Sequence, residues 1–165
     1  MKRAATLTTT GNEELNAQSD KLFAPGLVII LDLDRFGEYV EEKGLDPYKP
    51  NLITGELTNL VEEFVRKHRG VVVYGLDRER GTEEVVVEIP YPIDIDSIVR
   101  DLEEIRKKIS SLGVTLSGVV LYDYVTGRPA RDRREAYYGT PARRRAVKLL
   151  KSIKRKGGDK IIVVY

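Results

Sequence analysis

The sequence contains no cysteine and no tryptophan, and it has one histidine among 165 residues. The absence of cysteine excludes disulfide bonds, zinc–thiolate sites, iron–sulfur clusters and cysteine nucleophiles. The single histidine, His68, excludes multi-histidine metal sites and the HExxH motif of metalloproteases. Any chemistry therefore depends on carboxylates, hydroxyl groups, lysine, arginine and backbone groups.

Long hydrophobic runs are also missing. Apolar runs such as Leu27–Leu31, Val85–Val87 and Ile161–Tyr165 are far too short to span a bilayer. The N-terminal segment lacks the apolar core of a signal peptide. We therefore expect a cytoplasmic protein with no membrane partner. The charged fraction of 33% and the absence of cysteine and tryptophan are typical of thermophilic proteins.

The composition fits one folded domain. Of the 165 residues, 41% are apolar and 33% are charged. This length and balance are typical of a chain with a single hydrophobic core and exclude a mostly disordered one. Residues 1–25 are polar and rich in threonine. We expect them to form a flexible N-terminal arm, followed by a folded domain over residues 26–165.

Positive charge is concentrated towards the C-terminus, although the whole chain has a net charge of only +2. Residues 125–160 contain 13 lysines and arginines against 3 aspartates and glutamates. A basic segment on an acidic body favours an anionic partner such as a nucleotide, RNA or DNA. The alternative is a solvent-exposed helix surface of mixed charge.

Hydrophobic periodicity and turn residues predict the order β-α-α-β-β-α-β-α-β. The predicted strands cover residues 27–33, 71–76, 84–89, 114–122 and 161–164. The predicted helices cover residues 35–43, 52–68, 94–111 and 141–156, and a basic loop lies before the last helix. This order, with its internal hairpin, predicts an α+β fold in which helices pack on a mixed or antiparallel sheet.

Two aspartates at the end of the first predicted strand form the first candidate site. Asp32 and Asp34 flank Leu33 directly after a buried apolar run. Carboxylates in such a place are costly unless something compensates them. Mg²⁺ does so well, because it prefers carboxylate and carbonyl oxygens. In the alternative interpretation, Asp34 caps the following helix and Asp32 pairs with a lysine or arginine.

The predicted hairpin carries the second group of carboxylates. Glu83 and Glu84 follow Gly81 in the segment GTEEV, and Asp77 lies near the hairpin tip. If the hairpin lies beside the first strand, Asp32 and either glutamate can share a metal ion, which leaves positions open for water and phosphate oxygens. Asp77 is a rival for the second ligand. A charged, solvent-facing turn is the alternative.

The C-terminal helix and the segment after it supply cations that can bind phosphate. Lysines at this spacing can hold triphosphate oxygens as point charges. The candidates are Lys148, Lys151, Lys154, Arg155, Lys156 and Lys160. No P-loop and no GxGxxG motif follows any predicted strand, so the usual phosphate-binding loops are missing.

Four segments, in order, resemble the motifs of GGDEF-type nucleotidyl cyclases. Residues 31–36 (LDLDRF) are similar to the family's LDxDxF strand and turn, and residues 81–85 (GTEEV) fall where the family has GGDEF or GGEEF. Residues 114–119 (VTLSGV) resemble its VTxSxG strand, and residues 146–157 (AVKLLKSIKRKG) resemble its ADxALYxAKxxG helix. The resemblance extends over about residues 27–165.

The resemblance implies a ferredoxin-like palm core with a two-metal site. In the family, the first aspartate of the opening motif and the third residue of GGDEF bind Mg²⁺ or Mn²⁺. These positions correspond to Asp32 and Glu83, and the carbonyl of Leu33 would add a ligand. Glu84 is expected to act with them as a catalytic carboxylate.

The resemblance also implies nucleotide chemistry. Lys154 corresponds to the phosphate-binding lysine of the closing helix, and we expect Lys151, Lys160 and Phe36 to contribute to nucleotide binding. The implied reaction is attack of a 3′-hydroxyl on the α-phosphate of an NTP, GTP or ATP, with release of pyrophosphate. Because cyclases of this type often act as dimers, a homodimer is expected.

The sequence departs from the family at several points, of which two concern substrate binding. Thr82 replaces the second glycine of GGDEF, so its side chain is expected to obstruct the approach of substrate to the backbone. The asparagine and aspartate that recognise guanine have no clear match in residues 40–51. These departures favour a divergent relative, similar to the minimal polymerase of CRISPR systems. The alternatives are a hydrolase similar to GTP cyclohydrolase III and a non-catalytic domain that binds nucleotide, RNA or protein.

Overall fold

The computed structural model describes residues 22–165, and in that range it contains five strands and five helices. In chain order they are β1 (Ala24–Leu33), α1 (Phe36–Lys43), α2 (Leu52–His68), β2 (Val71–Tyr74), β3 (Glu84–Pro90), α3 (Ile95–Ser111), β4 (Leu116–Val125), α4 (Arg133–Tyr138), α5 (Pro141–Arg155) and β5 (Ile161–Val164). None of these helices combines the length and apolar character needed to cross a bilayer. Residues 1–21 of the predicted N-terminal arm lie outside the described residues.

The strands form one sheet in the order β2-β3-β1-β4-β5. Neighbouring strands are antiparallel except β4 and β5, which are parallel. The first four strands therefore have the order and directions of a ferredoxin-like core, in which two split β-α-β units interlock. The predicted α+β fold is confirmed. β1 takes the central position because its apolar run can be buried on both faces.

Helices cover both faces of the sheet. Helices α1, α2 and α3 pack on the face that carries Leu27, Ile29 and Leu31, whereas α4 and α5 pack on the face that carries Val28 and Ile30. All five of these β1 side chains are at most 1% exposed. Alternate residues of a strand point to opposite faces. Asp32, two positions after Ile30, therefore projects from the α4–α5 face.

Helix α5 is positioned so that its last turn reaches the end of β1. Thr140 caps its first turn by accepting a hydrogen bond from the backbone N–H of Arg143, and Pro141 occupies the start of the helix. The helix continues to Arg155. Lys154 in the last turn donates a hydrogen bond to the carbonyl of Leu33, the last residue of β1.

Helix α4 lies in the segment that the sequence pattern predicts to be a basic loop. Asp132 caps it by accepting a hydrogen bond from the N–H of Glu135, and Ala136 and Tyr137 are buried in the α4–α5 layer. The prediction is wrong here because six residues are too few to show helical periodicity. Strand β4 also extends to Val125, beyond its predicted end at residue 122.

An ion pair between Glu88 of β3 and Arg143 of α5 lies inside the α4–α5 layer. The side chain of Glu88 is 0% exposed and that of Arg143 is 3% exposed. Arg143 donates from Nη2 and Nε to the two carboxylate oxygens at 3.0 and 3.1 Å. The hydroxyl of Thr126 and the N–H of Gly127 also donate to Glu88. The network joins β3, the loop after β4 and α5.

Candidate functional site

Asp32 and Glu84 lie side by side where β1 ends and β3 begins. They are register partners in the antiparallel pair, so their side chains project from the same face, towards α4 and α5. The side chain of Asp32 is 27% exposed and that of Glu84 is 22% exposed. Two shielded carboxylates in this arrangement repel each other unless cations intervene.

Lys154 places its ammonium group among three oxygen atoms of the segment 32–34. Its Nζ lies 3.1 Å from Asp32 Oδ2, 3.1 Å from Asp34 Oδ1 and 3.0 Å from the carbonyl oxygen of Leu33. We call these three oxygen donors the oxygen cluster. The structure thus brings together Asp32, Leu33 and Lys154, which the sequence analysis selected, and it also contains the Asp32–lysine pair of the alternative interpretation.

Asp32 is only partly compensated by its surroundings. Burial raises its pKa from 3.8 to about 6. The positive charge of Lys154 opposes this rise, whereas the negative charges of Glu84 and Asp34 add to it. A carboxylate with a pKa perturbed in this way, at the edge of a sheet, is a candidate functional group.

Asp34 also has a structural role. Its carboxylate accepts hydrogen bonds from the hydroxyls of Ser117 and Thr115 at 2.7 and 2.8 Å and from the N–H of Asp159 at 2.9 Å. Burial would raise its pKa, but these bonds, together with Lys154, hold the pKa below its ordinary value. The helix-capping interpretation of Asp34 is wrong, because no side chain caps α1. Asp34 instead fastens β1 to β4 and to the loop before β5.

Glu84 is held by two side chains of α4. Arg133 donates from Nε and Nη2 at 2.6 and 3.1 Å, and the hydroxyl of Tyr137 donates at 2.7 Å. Burial would raise the pKa of Glu84, but these hydrogen bonds bring it below its ordinary value. The hydrogen bonds to Glu84 also raise the pKa of Arg133, and burial together with Glu84 raises that of Tyr137.

The sequence motifs do not identify Arg133 or Tyr137 as site residues. Both lie on α4, which was not predicted, and neither belongs to a recognisable motif. One signal was available in β3, where the segment EVVVE places Glu84 and Glu88 on the same face of an otherwise apolar strand. Each of these glutamates needs a cationic donor, and the basic segment that follows β4 supplies an arginine for each.

An open cavity of about 490 Å³ adjoins Glu84. Its volume is in the range of small-molecule sites. The lining residues are Tyr74, Gly75, Leu76, Asp77, Arg80, Gly81, Glu83, Glu84 and Arg133. Both glutamates therefore line this cavity. Glu83 is the metal ligand that the resemblance implies, and Glu84 is the glutamate in register with Asp32.

Thr82 does not face this cavity. Its side chain is fully buried, and its hydroxyl lies 2.7 Å from that of Thr58 in α2 and accepts a hydrogen bond from the N–H of Asp77. The expected obstruction by Thr82 is therefore wrong, since the side chain fixes the hairpin turn to α2. The neighbouring Gly81 has φ +91°, and a Cβ there would lie 2.2 Å from the hydroxyl oxygen of Thr54.

Of the remaining predicted site residues, Phe36, Lys151 and Lys160 are not part of the cavity lining, whereas Asp77 lies on the cavity wall. Phe36 is 8% exposed and belongs to the core on the α1–α3 side of the sheet. Lys151 is exposed, with its Nζ 5.8 Å from the ring centroid of Tyr138. Lys160 is exposed after α5, and Asp77 closes its own turn by accepting hydrogen bonds from two backbone N–H groups.

The donor chemistry of the oxygen cluster fits a hard divalent cation. Residues 22–165 contain no group of three or more histidine, cysteine, aspartate or glutamate side chains arranged to hold a metal ion. The cluster nevertheless surrounds a cation, the ammonium group of Lys154, with two carboxylates and a carbonyl. Mg²⁺ commonly takes one or two protein carboxylates and completes its shell with water and substrate phosphates.

No protein-family model matches the sequence, and no curated protein matches it. A solved structure of the diguanylate cyclase SiaD from Pseudomonas aeruginosa, in complex with its activator SiaC, is 21% identical with a TM-score of 0.57, and the match covers 84% of this chain and 50% of that chain. The guanylyl cyclase Cya2 is 16% identical with a TM-score of 0.50, and the match covers 86% of this chain and 75% of the Cya2 chain. A chain of a Csm1–Csm4 cassette in complex with cA4 is 16% identical with a TM-score of 0.49, and the match covers 86% of this chain and 21% of that chain.

The likeness to SiaD and Cya2 shows that this chain has the palm fold of nucleotidyl cyclases. The chain spans about half the length of the SiaD chain that it matches. The fold that the sequence motifs implied is therefore confirmed.

Proposed function

We propose that this chain is a palm domain that binds nucleoside triphosphates with Mg²⁺ or Mn²⁺ and transfers nucleotidyl groups to form cyclic or linear oligonucleotides. The observation that carries the proposal is the oxygen cluster at the end of β1, which holds the ammonium group of Lys154 at 3.0–3.1 Å. The palm fold and the adjoining cavity of about 490 Å³ support it.

Asp32 and the Leu33 carbonyl would hold the divalent cation. The second carboxylate would come from Glu84, the register partner of Asp32, or from Glu83 on the cavity wall. A cation bound there supplies positive charge to the α-phosphate and to the leaving pyrophosphate. Lys154 would then leave the oxygen cluster and bind phosphate oxygens as a point charge.

Arg133 is the second cation available to the triphosphate. It lines the cavity, and its planar guanidinium, which now holds Glu84 through two hydrogen bonds, can bind phosphate oxygens in the same way. In the transfer, the 3′-oxygen of one nucleotide bonds to the α-phosphorus of another. The bond from that phosphorus to the bridging oxygen of the β-phosphate breaks, pyrophosphate leaves, and the hydroxyl proton passes to water.

A non-catalytic nucleotide-binding domain is the second candidate function. The ion pairs of the site favour it, because Asp32 already contacts Lys154 and Glu84 already contacts Arg133. If both pairs persist when nucleotide is present, neither carboxylate is free to bind a divalent cation. The cavity would then bind nucleotide without any transfer.

Incubation with each NTP, labelled at the α-phosphate, in the presence of Mg²⁺ or Mn²⁺ tests the proposal. We expect one NTP to give a labelled product that resists phosphatase, together with pyrophosphate. Asp32→Asn is expected to lower the rate about 100-fold or more, because it removes charge needed where the transition state develops. Asp96→Asn, a matched change at an exposed position of α3, is expected to retain the full rate.

The products separate the alternatives. Chromatography that shows a ring-opened, formylated pyrimidine from GTP would identify a hydrolase and not a transferase. Binding of nucleotide without any product would support the non-catalytic domain. A rate that is equal in wild type and Asp32→Asn would rule out Asp32 as a catalytic carboxylate.

A further inference from the structure

Helix α5 carries seven lysines and arginines and no aspartate or glutamate. Three of them pair with carboxylates, since Arg143 is buried with Glu88, Lys154 enters the oxygen cluster and Arg145 lies 2.6 Å from Asp123. The other four side chains are exposed to solvent. We call them the basic stripe, which consists of Arg144, Lys148, Lys151 and Arg155.

The basic stripe is a continuous line of uncompensated charge. Its members are three or four residues apart, so they share one side of the helix, and from first to last they span about 16 Å along its axis. Among the described residues, the ion pairs of α5 are those made by Arg143, Arg145 and Lys154, and none involves the stripe.

This concentration of charge is unfavourable for the isolated helix. Arg144 and Lys148 are four residues apart, as are Lys151 and Arg155, and like charges at that spacing destabilise a helix. The stripe contributes little to the core, because all four residues are exposed. A bound polyanion would remove the repulsion.

An aromatic side chain accompanies the stripe. Tyr138 of α4 is 45% exposed, and the Nζ of Lys151 lies 5.8 Å from its ring centroid. Arg144 donates a hydrogen bond to the carbonyl of Tyr138 at 2.9 Å, which ties the end of α4 to the stripe. Proteins that bind single strands combine a track of cations for the phosphates with exposed aromatic rings on which bases stack.

We propose that the basic stripe and Tyr138 bind single-stranded nucleic acid. The line of charges fits a phosphate backbone, and the exposed ring distinguishes a strand with free bases from an acidic protein surface or a duplex. The stripe faces solvent, whereas Lys154 on the same helix faces the oxygen cluster. The stripe and the oxygen cluster use different side chains. Nucleic-acid binding by the stripe can therefore be absent while nucleotidyl transfer is present, and the reverse.

Fluorescence anisotropy with a labelled 12-nucleotide RNA, and with DNA of the same sequence, tests this surface without nucleotide or divalent cation. With four phosphate contacts, the slope of log K against log salt is expected to be about −3 for wild type. The triple variant Arg144→Gln, Lys148→Gln, Arg155→Gln keeps one of the four contacts, so its slope is expected to be shallower, at about −1. Binding of either nucleic acid supports the proposal.

A second triple variant provides the matched control. Lys67→Gln, Lys107→Gln, Lys108→Gln makes the same change in net charge on α2 and α3, on the opposite face of the sheet. We expect this control variant to bind RNA with the same slope of log K against log salt as wild type. The stripe variant is expected to melt no lower than wild type, because it removes like-charge repulsion and no buried contact.

Tyr138→Leu separates stacking from charge. We expect it to weaken binding about tenfold without changing the salt slope. The proposal is overturned if wild type does not bind either strand, if the two triple variants bind equally, or if poly-glutamate of matched charge binds as tightly as RNA.

Discussion

Replacing Arg143 with methionine is expected to lower the free energy of unfolding by about 3–5 kcal/mol, because it leaves a buried carboxyl group without its cation. Glu88 is 0% exposed, so water cannot take the place of the guanidinium. The substitution also removes the link between β3, the loop after β4 and α5. Urea denaturation monitored by circular dichroism measures the loss.

Two comparison variants test this explanation. Arg145→Met removes the neighbouring but exposed pair with Asp123 and is expected to cost less than about 1 kcal/mol. The double variant Glu88→Leu, Arg143→Met is expected to recover most of the stability, because it removes both charges together. Equal losses for Arg143→Met and Arg145→Met would contradict the idea that the buried pair supports the fold.

Replacing Asp32 with asparagine is expected to raise the free energy of unfolding by about 1–2 kcal/mol at pH 7.5 in the absence of metal and nucleotide. Burial raises the pKa of Asp32 from 3.8 to about 6, so the folded state pays to keep this group ionised. That difference corresponds to at most about 3 kcal/mol, and the 27% exposure of the side chain reduces it through solvent screening.

The pH dependence identifies the cause. Below about pH 4, Asp32 is protonated in both the folded and the unfolded chain, so its penalty is absent. As the pH rises from 4 to 6, the unfolded chain releases the proton first, and the folded state loses stability until the folded pKa is passed. The gain from Asp32→Asn should therefore vanish at pH 4.

Asp96→Asn on α3 provides the control for this measurement. We expect it to change stability by no more than about 0.5 kcal/mol at either pH, since it is an exposed position. A loss of stability in Asp32→Asn at pH 7.5 would contradict the prediction. It would mean that the pair between Asp32 and Lys154 stabilises the fold and that Asp32 is mainly structural.

Much of the fold could be predicted from local patterns. The apolar run of β1 indicates a strand buried on both faces, and the stripe of Ile98, Leu102, Ile105 and Ile109 indicates α3. Helix α4 could not be predicted, because its six residues become helical through the Asp132 cap and the burial of Tyr137. The cap is a local contact between Asp132 and Glu135, but the burial of Tyr137 depends on tertiary contacts, which the sequence pattern does not show.

The candidate site could be predicted only in part. The motif residues Asp32, Leu33 and Lys154 lie together in the fold, although Lys154 is more than 100 positions from the other two in the chain. Sequence spacing could not decide between Glu83 and Glu84, since the choice depends on strand register, which pairs Asp32 with Glu84. Nor could spacing show that the hydroxyl of Thr82 contacts that of Thr58 in α2.

Thermal unfolding with each NTP, with and without Mn²⁺, measures nucleotide binding at Asp32 most directly. With one NTP at about 100 times its dissociation constant, binding contributes about 2.7 kcal/mol, so we expect Tm to rise by about 5–10 °C in wild type and in Asp96→Asn when Mn²⁺ is present. Asp32→Asn should show no such rise. No rise with any NTP, or an equal rise in Asp32→Asn, would contradict a metal-dependent nucleotide site at this position.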